Sequence, residues 1–175
     1  MGGRIFDSPH GHRTHPMSEK MRGAIFNALG DITGLSVLDA YAGSGAIGFE
    51  TVSRGAISAT LVEADKAASK TIKINIHSLA LVNKVTLISS FVMSFARRTH
   101  DTFDIVVADP PYDALDYKDL EALPSLVKPG GILVYSLPPS ARLLPGNTMA
   151  LILQKDYGDA TLSFYRRQAL SPALK

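Results

Sequence analysis

The chain contains no cysteine among its 175 residues. Disulfide bonds, thiol nucleophiles and thiolate metal sites are therefore excluded, and the composition fits a reducing compartment. The sequence also lacks an apolar run of about 18 or more residues, the minimum for a membrane-spanning helix. It has no N-terminal segment in which basic residues precede an apolar stretch, as they do in a signal peptide. These absences favour a cytoplasmic protein.

Length and composition limit the number of domains. The 175 residues, of which 46% are hydrophobic and 19% charged, can bury one α/β core but are too few for two ordinary domains. We find no internal repeat, low-complexity tract or linker. We therefore expect a single domain over residues 1–175, with residues 1–17 as an irregular N-terminal arm and residues 18–175 as the folded core.

The N-terminal region is rich in cations. Because binding to a polyanion depends on clustered positive charge, we take Arg4, His12, Arg13 and Arg22 as candidate contacts to nucleic acid. A solvated tail is the alternative. The histidines at positions 10, 12 and 15 are spaced like metal ligands, but they lack an acidic partner in a rigid frame, so no metal is expected.

Helical and extended patterns alternate through the rest of the chain. Helices are predicted from the N-cap Ser18 to Gly30, from near residue 46, and over 66–81, 92–98 and 117–127. Strands are predicted over 34–40, 59–62, 85–88, 103–108 and 131–137, and a terminal hairpin over 148–157 and 160–166. This order predicts an α/β fold with a doubly wound, mostly parallel, seven-stranded sheet and an antiparallel C-terminal hairpin strand.

A glycine-rich turn follows the first predicted strand. Residues 39–48 read D-A-Y-A-G-S-G-A-I-G, which matches the generic pattern G-x-G-x-x-G. Glycines allow a tight turn and let a ligand approach the backbone without meeting a Cβ. The pattern suits a dinucleotide, whose pyrophosphate would lie at the helix N-terminus, and it also suits a turn that merely packs a helix on a sheet.

Two acidic residues favour a different ligand. Asp39 precedes the first glycine by four residues, where it would repel a pyrophosphate and attract a cationic group. Glu63 ends the second predicted strand, where a carboxylate can accept hydrogen bonds from both hydroxyls of a ribose. An amino-acid tail beside Asp39 and a ribose on Glu63 together describe S-adenosylmethionine.

The fourth predicted strand ends in Asp109-Pro110-Pro111-Tyr112, at the same edge of the sheet as the glycine turn. The prolines stiffen this loop and remove backbone donors, so it presents acceptors. The Asp109 carboxylate and the Pro110 carbonyl could accept the two N–H bonds of a base amine and stabilise the positive charge that develops during methyl transfer. Tyr112 could stack on the base. The motif therefore predicts methylation of an exocyclic amine, although alone it could be a surface turn.

These motifs together resemble the bacterial RsmD family of small-subunit ribosomal RNA guanine methyltransferases. The resemblance covers nearly the whole chain. It rests on His15-Pro16-Met17-Ser18, Arg22, residues 24–29, 38–50 and 53–56, Leu61-Val62-Glu63 with Asp65, and Asp109-Pro110-Pro111-Tyr112. It implies a Rossmann-like class I methyltransferase fold. It also implies that S-adenosylmethionine is converted to S-adenosylhomocysteine and that N2 of a guanine in 16S ribosomal RNA receives the methyl group.

The resemblance also assigns residues and partners. It implies a monomer that acts without a metal on ribosomal RNA in the small subunit or in an assembly intermediate. The catalytic residues would be Asp109, Pro110 and Tyr112, and the cofactor would bind Asp39, Tyr41, Ala42, Gly43, Ser44, Gly45, Glu63, Ala64, Ser90 and Phe91.

This chain departs from the family pattern at three places. His15-Pro16-Met17 stands where Arg-Pro-Thr is usual, and Gly23 follows Arg22 where a glutamate is usual. Ser90 stands where the family tends to carry an acid near the adenine amine. Ser90 is therefore expected to accept a hydrogen bond from the adenine, and Phe91 to pack on its ring.

Three other functions fit parts of the sequence. The Asp-Pro-Pro-Tyr chemistry also suits a DNA adenine-N6 methyltransferase, which would ordinarily carry an added target-recognition segment. A non-catalytic RNA-binding or ribosome assembly factor would not need the intact acids Asp39, Glu63 and Asp109. A small-molecule methyltransferase or a nucleotide-binding oxidoreductase is disfavoured by the proline pair.

Overall fold

A seven-stranded sheet forms the centre of the computed structural model, which describes residues 17–169. The strands are β1 Ser36–Asp39, β2 Ser58–Glu63, β3 Val85–Ser89, β4 Phe103–Ala108, β5 Val127–Leu137, β6 Met149–Asp156 and β7 Thr161–Arg167. Their order across the sheet is β3-β2-β1-β4-β5-β7-β6. The first five strands are parallel, and β7 is antiparallel to its neighbours β5 and β6. The predicted doubly wound sheet with its antiparallel C-terminal hairpin strand is confirmed.

In the described part of the chain, five α-helices connect and flank the strands. They are α1 Glu19–Leu29, α2 Ala46–Ser53, α3 Lys66–Ser78, α4 Val92–Ala96 and α5 Tyr117–Ala122, with short 3₁₀ turns at Tyr112–Ala114 and Leu123–Leu126. The signals predicted for α1 are confirmed, since Ser18 Oγ accepts a hydrogen bond from the Met21 amide at 3.2 Å and Gly30 ends the helix at φ +72°. None of the helices within residues 17–169 is long and apolar enough to cross a membrane.

Both faces of the sheet are buried, as expected for parallel strands. Side chains of β4 alternate between the faces. Ile105 and Val107 pack with α1, whereas Val106 and Ala108 pack with α4 and α5. A third cluster joins α2 and α3 to β2. The carboxyl ends of the parallel strands therefore meet at one edge, where the loops that follow them are exposed to ligands.

The segment before β5 differs from the prediction. The helix predicted over 117–127 ends at Ala122, and β5 begins at Val127, four residues before the predicted Gly131. Pro124 lacks a backbone N–H and cannot continue the helix, so the chain makes a 3₁₀ turn instead. Phe103 pairs with Val127 but Ile105 pairs with Ile132, which makes residues 128–131 a bulge within β5 where the predicted helix and strand were expected to meet.

Gly48, the third glycine of the turn motif, packs α2 on the sheet. A Cβ at this position would lie 2.8 Å from Cγ of Leu61, a fully buried residue of β2. Gly48→Ala is therefore expected to lower the free energy of unfolding by up to about 2 kcal/mol, because overpacking costs about 1–3 kcal/mol and better helix propensity returns about 1 kcal/mol. Urea denaturation measures this change. Leu61→Ala should relieve the clash in the double variant, and strictly additive losses would contradict this account.

Candidate active site

Three carboxylates lie at the carboxyl edge of the sheet. Asp39 ends β1 and Glu63 ends β2, its parallel neighbour, while Asp109 directly follows β4 on the other side of β1. The negative charges of Asp109 and Glu63 both raise the pKa of Asp39, which shows that the three groups interact. The fold thus brings together the acids of the three motifs found in the sequence.

Asp39 is the most deeply buried of these acids, with 1% of its surface exposed. Its Oδ2 accepts a hydrogen bond from the Gly48 amide at 3.2 Å. Burial, followed by repulsion from the other two carboxylates, raises its pKa to about 7, although the nearby Tyr41 amide favours the charged form. Among the described residues, none makes a hydrogen bond of good geometry to Asp39 Oδ1. A buried acceptor of this kind is costly unless a ligand or water satisfies it.

The glycine turn exposes its backbone beside Asp39. Gly43 and Gly45 both adopt positive φ, at +54° and +81°. A Cβ on Gly45 would meet Phe49, whereas a Cβ on Gly43 would have no described atom within 4 Å. Gly45 is therefore required for packing, and Gly43 borders open space that a ligand can occupy. Ala42 is buried and Ser44 is half-buried in the same turn.

Glu63 holds this turn in place. Its Oε2 accepts a hydrogen bond from the Gly43 amide at 2.7 Å, and its Oε1 accepts one from the Asp65 amide at 2.7 Å. Burial raises the pKa of Glu63 despite these bonds. Each carboxylate oxygen can accept more than one hydrogen bond, so Glu63 can bind hydroxyl groups while it fixes the turn.

A cleft of about 480 Å³ opens next to Glu63 and is lined by Ala64, Ser89, Ser90, Phe91, Ser94, Arg97 and Arg98. Phe91 is 70% exposed, so its ring is available for stacking. Ser90 Oγ donates to the Phe91 carbonyl and accepts from Arg98 Nη2, each at 3.2 Å. The structure thus groups three of the predicted residues, Ala64, Ser90 and Phe91. Sequence reasoning missed Arg98. The available signal was its position four residues after Ser94, because this helical spacing puts both residues on the same side of the segment that lines the cleft.

The phenol of Tyr41 is directed away from this cleft. It lies near Asp119 of α5, and burial together with the charges of Asp119 and Asp116 raises the pKa of Tyr41. Its ring packs against the buried cluster on the α4 and α5 side of the sheet. The backbone of Tyr41 belongs to the turn, but its side chain connects β1 to α5.

The Asp-Pro-Pro-Tyr loop is anchored by a residue of β5 that sequence reasoning missed. Ser136 is fully buried, and its hydroxyl lies 3.0 Å from the Tyr112 hydroxyl. Burial raises the pKa of Asp109 to about 6, while the nearby Ser136 hydroxyl opposes this rise. Tyr112 remains 37% exposed, and Pro110 lies between these two residues in the loop.

Of the four predicted RNA contacts, only Arg22 lies within the described residues. Arg4, His12 and Arg13 lie outside the described residues, as do the histidines at positions 10 and 15. Arg22 forms a salt bridge with Glu50 at 2.5 Å, which ties α1 to α2. Its guanidinium is therefore already engaged, and its contact with RNA stays a prediction. Within residues 17–169, no three histidine or acidic side chains are grouped as metal ligands.

Known proteins resemble this chain in sequence and in structure. Ribosomal RNA small subunit methyltransferase D of Escherichia coli strain K12 is 36% identical over 111 residues, 63% of this chain and 56% of that protein. The protein of the same name from Haemophilus influenzae is 26% identical over 158 residues, 86% of this chain and 82% of that protein. The solved structure of the E. coli protein yhhF matches with a TM-score of 0.84 and 28% identity, over 95% of this chain and 93% of that one.

The match to the E. coli K12 relative spans little more than half of that relative's length. The family model covers far more of this chain. It is the model described as conserved hypothetical protein 95, and it matches residues 1–166. The chain therefore belongs to this family, and the resemblance to the RsmD proteins is confirmed.

Proposed function

We propose that the protein transfers the methyl group of S-adenosylmethionine to the exocyclic N2 amine of a guanine in small-subunit ribosomal RNA. The observation that carries this proposal is the meeting of Asp39, the open Gly43 backbone and the Asp109-to-Tyr112 loop at one edge of the sheet. The names of the E. coli and H. influenzae relatives support ribosomal RNA as the substrate, and the resemblance to the RsmD family supports guanine N2.

The residues at this edge fit the chemical groups of the cofactor. The unsatisfied Asp39 oxygen suits the cationic end of the molecule, and the Glu63 carboxylate suits its ribose hydroxyls. The cleft beside Glu63 suits the adenine, with Phe91 available to stack and Ser90 able to accept a hydrogen bond. When bound, S-adenosylmethionine supplies an electrophilic methyl group on a sulfonium.

Asp109 would orient and stabilise the acceptor amine. The lone pair of a base amine is delocalised into the ring, so the nitrogen must be held with its lone pair directed at the methyl group. The Asp109 carboxylate and the Pro110 carbonyl would accept its two N–H bonds and stabilise the positive charge that develops on nitrogen. Because Asp109 is mostly buried, this stabilisation acts in a medium of low polarity and is stronger than in water. Tyr112 would stack on the base.

Transfer of a labelled methyl group tests this function. The substrates are small ribosomal subunits lacking the modification, naked ribosomal RNA and unmethylated duplex DNA, and Asp109→Ala is the inactive control. We expect N2-methylguanine in the subunit or its RNA, with the label lost in the variant. N6-methyladenine in DNA would overturn the substrate assignment, and binding of the cofactor without transfer to any substrate would favour a non-catalytic RNA-binding protein.

A further inference from the structure

Ser136 connects two residues of the proposed catalytic loop although it belongs to another strand. Val107 pairs with Val134 and Ala108 pairs with Tyr135, so the parallel register places Ser136 opposite Asp109. Its hydroxyl lies 3.0 Å from the Tyr112 hydroxyl and is near enough to the Asp109 carboxylate to favour its charged form. Ser136 has no exposed surface, and a buried hydroxyl of this kind needs its hydrogen bonds satisfied.

The chemistry of the three groups sets the direction that hydrogen bonding among them would take. A charged carboxylate only accepts, so the Ser136 hydroxyl can bind a charged Asp109 only as the donor. The oxygen of Ser136 would then accept from the Tyr112 hydroxyl, which lies 3.0 Å away. This assignment orders the groups as a chain from Tyr112 through Ser136 to Asp109.

We propose that Ser136 is a positioning residue of the methyl-transfer site, where it fixes the Asp109 carboxylate and the Tyr112 ring as one unit. This inference rests on the proposed function and deepens it. The carboxylate would hold the base amine and the ring would hold the face of the same base, so their relative position decides whether the amine meets the methyl group. Ser136 would act on the reaction through both residues without touching the base.

The surroundings of Asp109 make the Ser136 hydroxyl important for its charge. Among the described residues, three acidic groups act on this part of the site. They are Asp39 at the end of β1, Glu63 at the end of β2, and Asp159 in the β6–β7 turn, whose charge acts on Tyr112. Among the described residues, the hydroxyl of Ser136 is the group that favours the charged form of Asp109 against the effect of burial. Loss of this hydroxyl is therefore expected to raise the pKa of Asp109 further.

The variant Ser136→Ala tests the proposal, with Ser136→Thr as the conservative rescue. We expect Ser136→Ala to lower kcat about 10- to 100-fold at neutral pH, as for the loss of a hydrogen bond to a charged group. The fall in kcat that protonation of Asp109 causes at acidic pH should occur roughly one pH unit higher in this variant. Threonine keeps the hydroxyl and should restore both values. Tyr112→Phe removes the tyrosine hydroxyl that contacts Ser136, so it should weaken binding of RNA. The pH at which kcat falls should stay near its wild-type value.

A matched control exists at the opposite edge of the sheet. Ser36 Oγ donates to Asp104 Oδ2 at 2.6 Å, a serine–aspartate hydrogen bond that lies far from the proposed site. Ser36→Ala should leave the pH profile of methyl transfer unchanged. Circular dichroism of each variant establishes that it is folded before its activity is compared.

A direct titration separates this inference from the proposed function. Carbon-13 NMR of the labelled Asp109 carboxylate measures its pKa in the wild type and in Ser136→Ala without any methyl transfer. A higher pKa in the variant supports the inference, and an unchanged pKa overturns it. A fall in kcat that is equal at every pH would also overturn it, because such a fall indicates a merely structural role. If the wild type methylates none of the substrates tested, the proposed function fails whatever the titration shows.

Discussion

Asp109→Ala is expected to lower kcat about 10²- to 10³-fold, as for the removal of one group that stabilises charge in a transition state. The variant loses the carboxylate that would accept an N–H bond from the base amine and stabilise its positive charge. Binding of S-adenosylmethionine should change far less, because Asp39, Glu63 and the cleft remain. Single-turnover methyl transfer and calorimetric titration of the cofactor measure the two effects separately.

The pH dependence of kcat provides a second test of the role of Asp109. Since the pKa of Asp109 is raised to about 6, the wild-type kcat should fall as the pH drops through about 6 and should be constant above about 7. The residual activity of Asp109→Ala should lack this limb. Asp113, an exposed acid of the same loop, provides the matched control, and Asp113→Ala should keep both the rate and the profile. Equal losses in the two alanine variants would show that loop charge in general, rather than the Asp109 carboxylate, determines the rate.

Asp39→Asn is expected to weaken binding of S-adenosylmethionine about 10- to 100-fold, the range for loss of a hydrogen bond to a charged group. The same change should stabilise the unliganded protein at neutral and alkaline pH. In the wild type, folding buries the Asp39 carboxylate, and one of its oxygens has no hydrogen-bond partner among the described residues. Two other acids, Asp109 and Glu63, also repel its charge. Asparagine removes the charge and keeps the shape, so a gain in stability would accompany a loss of function.

The sign of this effect follows from proton binding. The pKa of Asp39 is raised in the folded state to about 7, above its unfolded value of 3.8, so the folded protein binds more protons than the unfolded protein between these values. The free energy of unfolding contributed by Asp39 therefore falls as the pH rises from about 4 to 7 and stays low above 7. Asp39→Asn should accordingly raise Tm at pH 8 and have little effect below pH 4.

Asp104 provides the matched control for this second prediction. Although burial opposes the change, hydrogen bonds from Lys128 and Ser36 lower the pKa of Asp104, so its charged form stabilises the folded protein above pH 4. Asp104→Asn should therefore lower Tm at pH 8, the opposite sign to Asp39→Asn. Thermal unfolding of both variants at pH 4 and pH 8 makes the comparison. A fall in Tm at pH 8 in Asp39→Asn would show that its buried charge does not strain the unliganded fold.

Much of the fold could be predicted because strong local signals agree with the global topology. The alternation of helices and strands predicted the doubly wound, mostly parallel sheet, and the N-cap Ser18 and the stop at Gly30 predicted the limits of α1. The acids Asp39, Glu63 and Asp109 could be assigned to one edge because the carboxyl ends of parallel strands meet there.

Contacts that depend on strand register could not be predicted. The apolar run around Pro124 looked helical, so the start of β5 was placed four residues late and its pairing with β4 was undefined. Without that register, nothing in the sequence sets Ser136 opposite Asp109. The direction of the Tyr41 side chain depends in the same way on α5, a distant segment that the local pattern does not describe.

The bulge at residues 128–131 interrupts the pairing of β5 with β4 at the edge of the sheet opposite the proposed site. Beyond it, Val134 pairs with Val107 and Tyr135 pairs with Ala108. A strand places successive side chains on opposite faces, so a shift of this register by one residue would turn Ser136 away from Asp109 and bring a neighbour into its place. A change of length in this remote segment that the bulge did not absorb would thus act as a mutation of the catalytic loop.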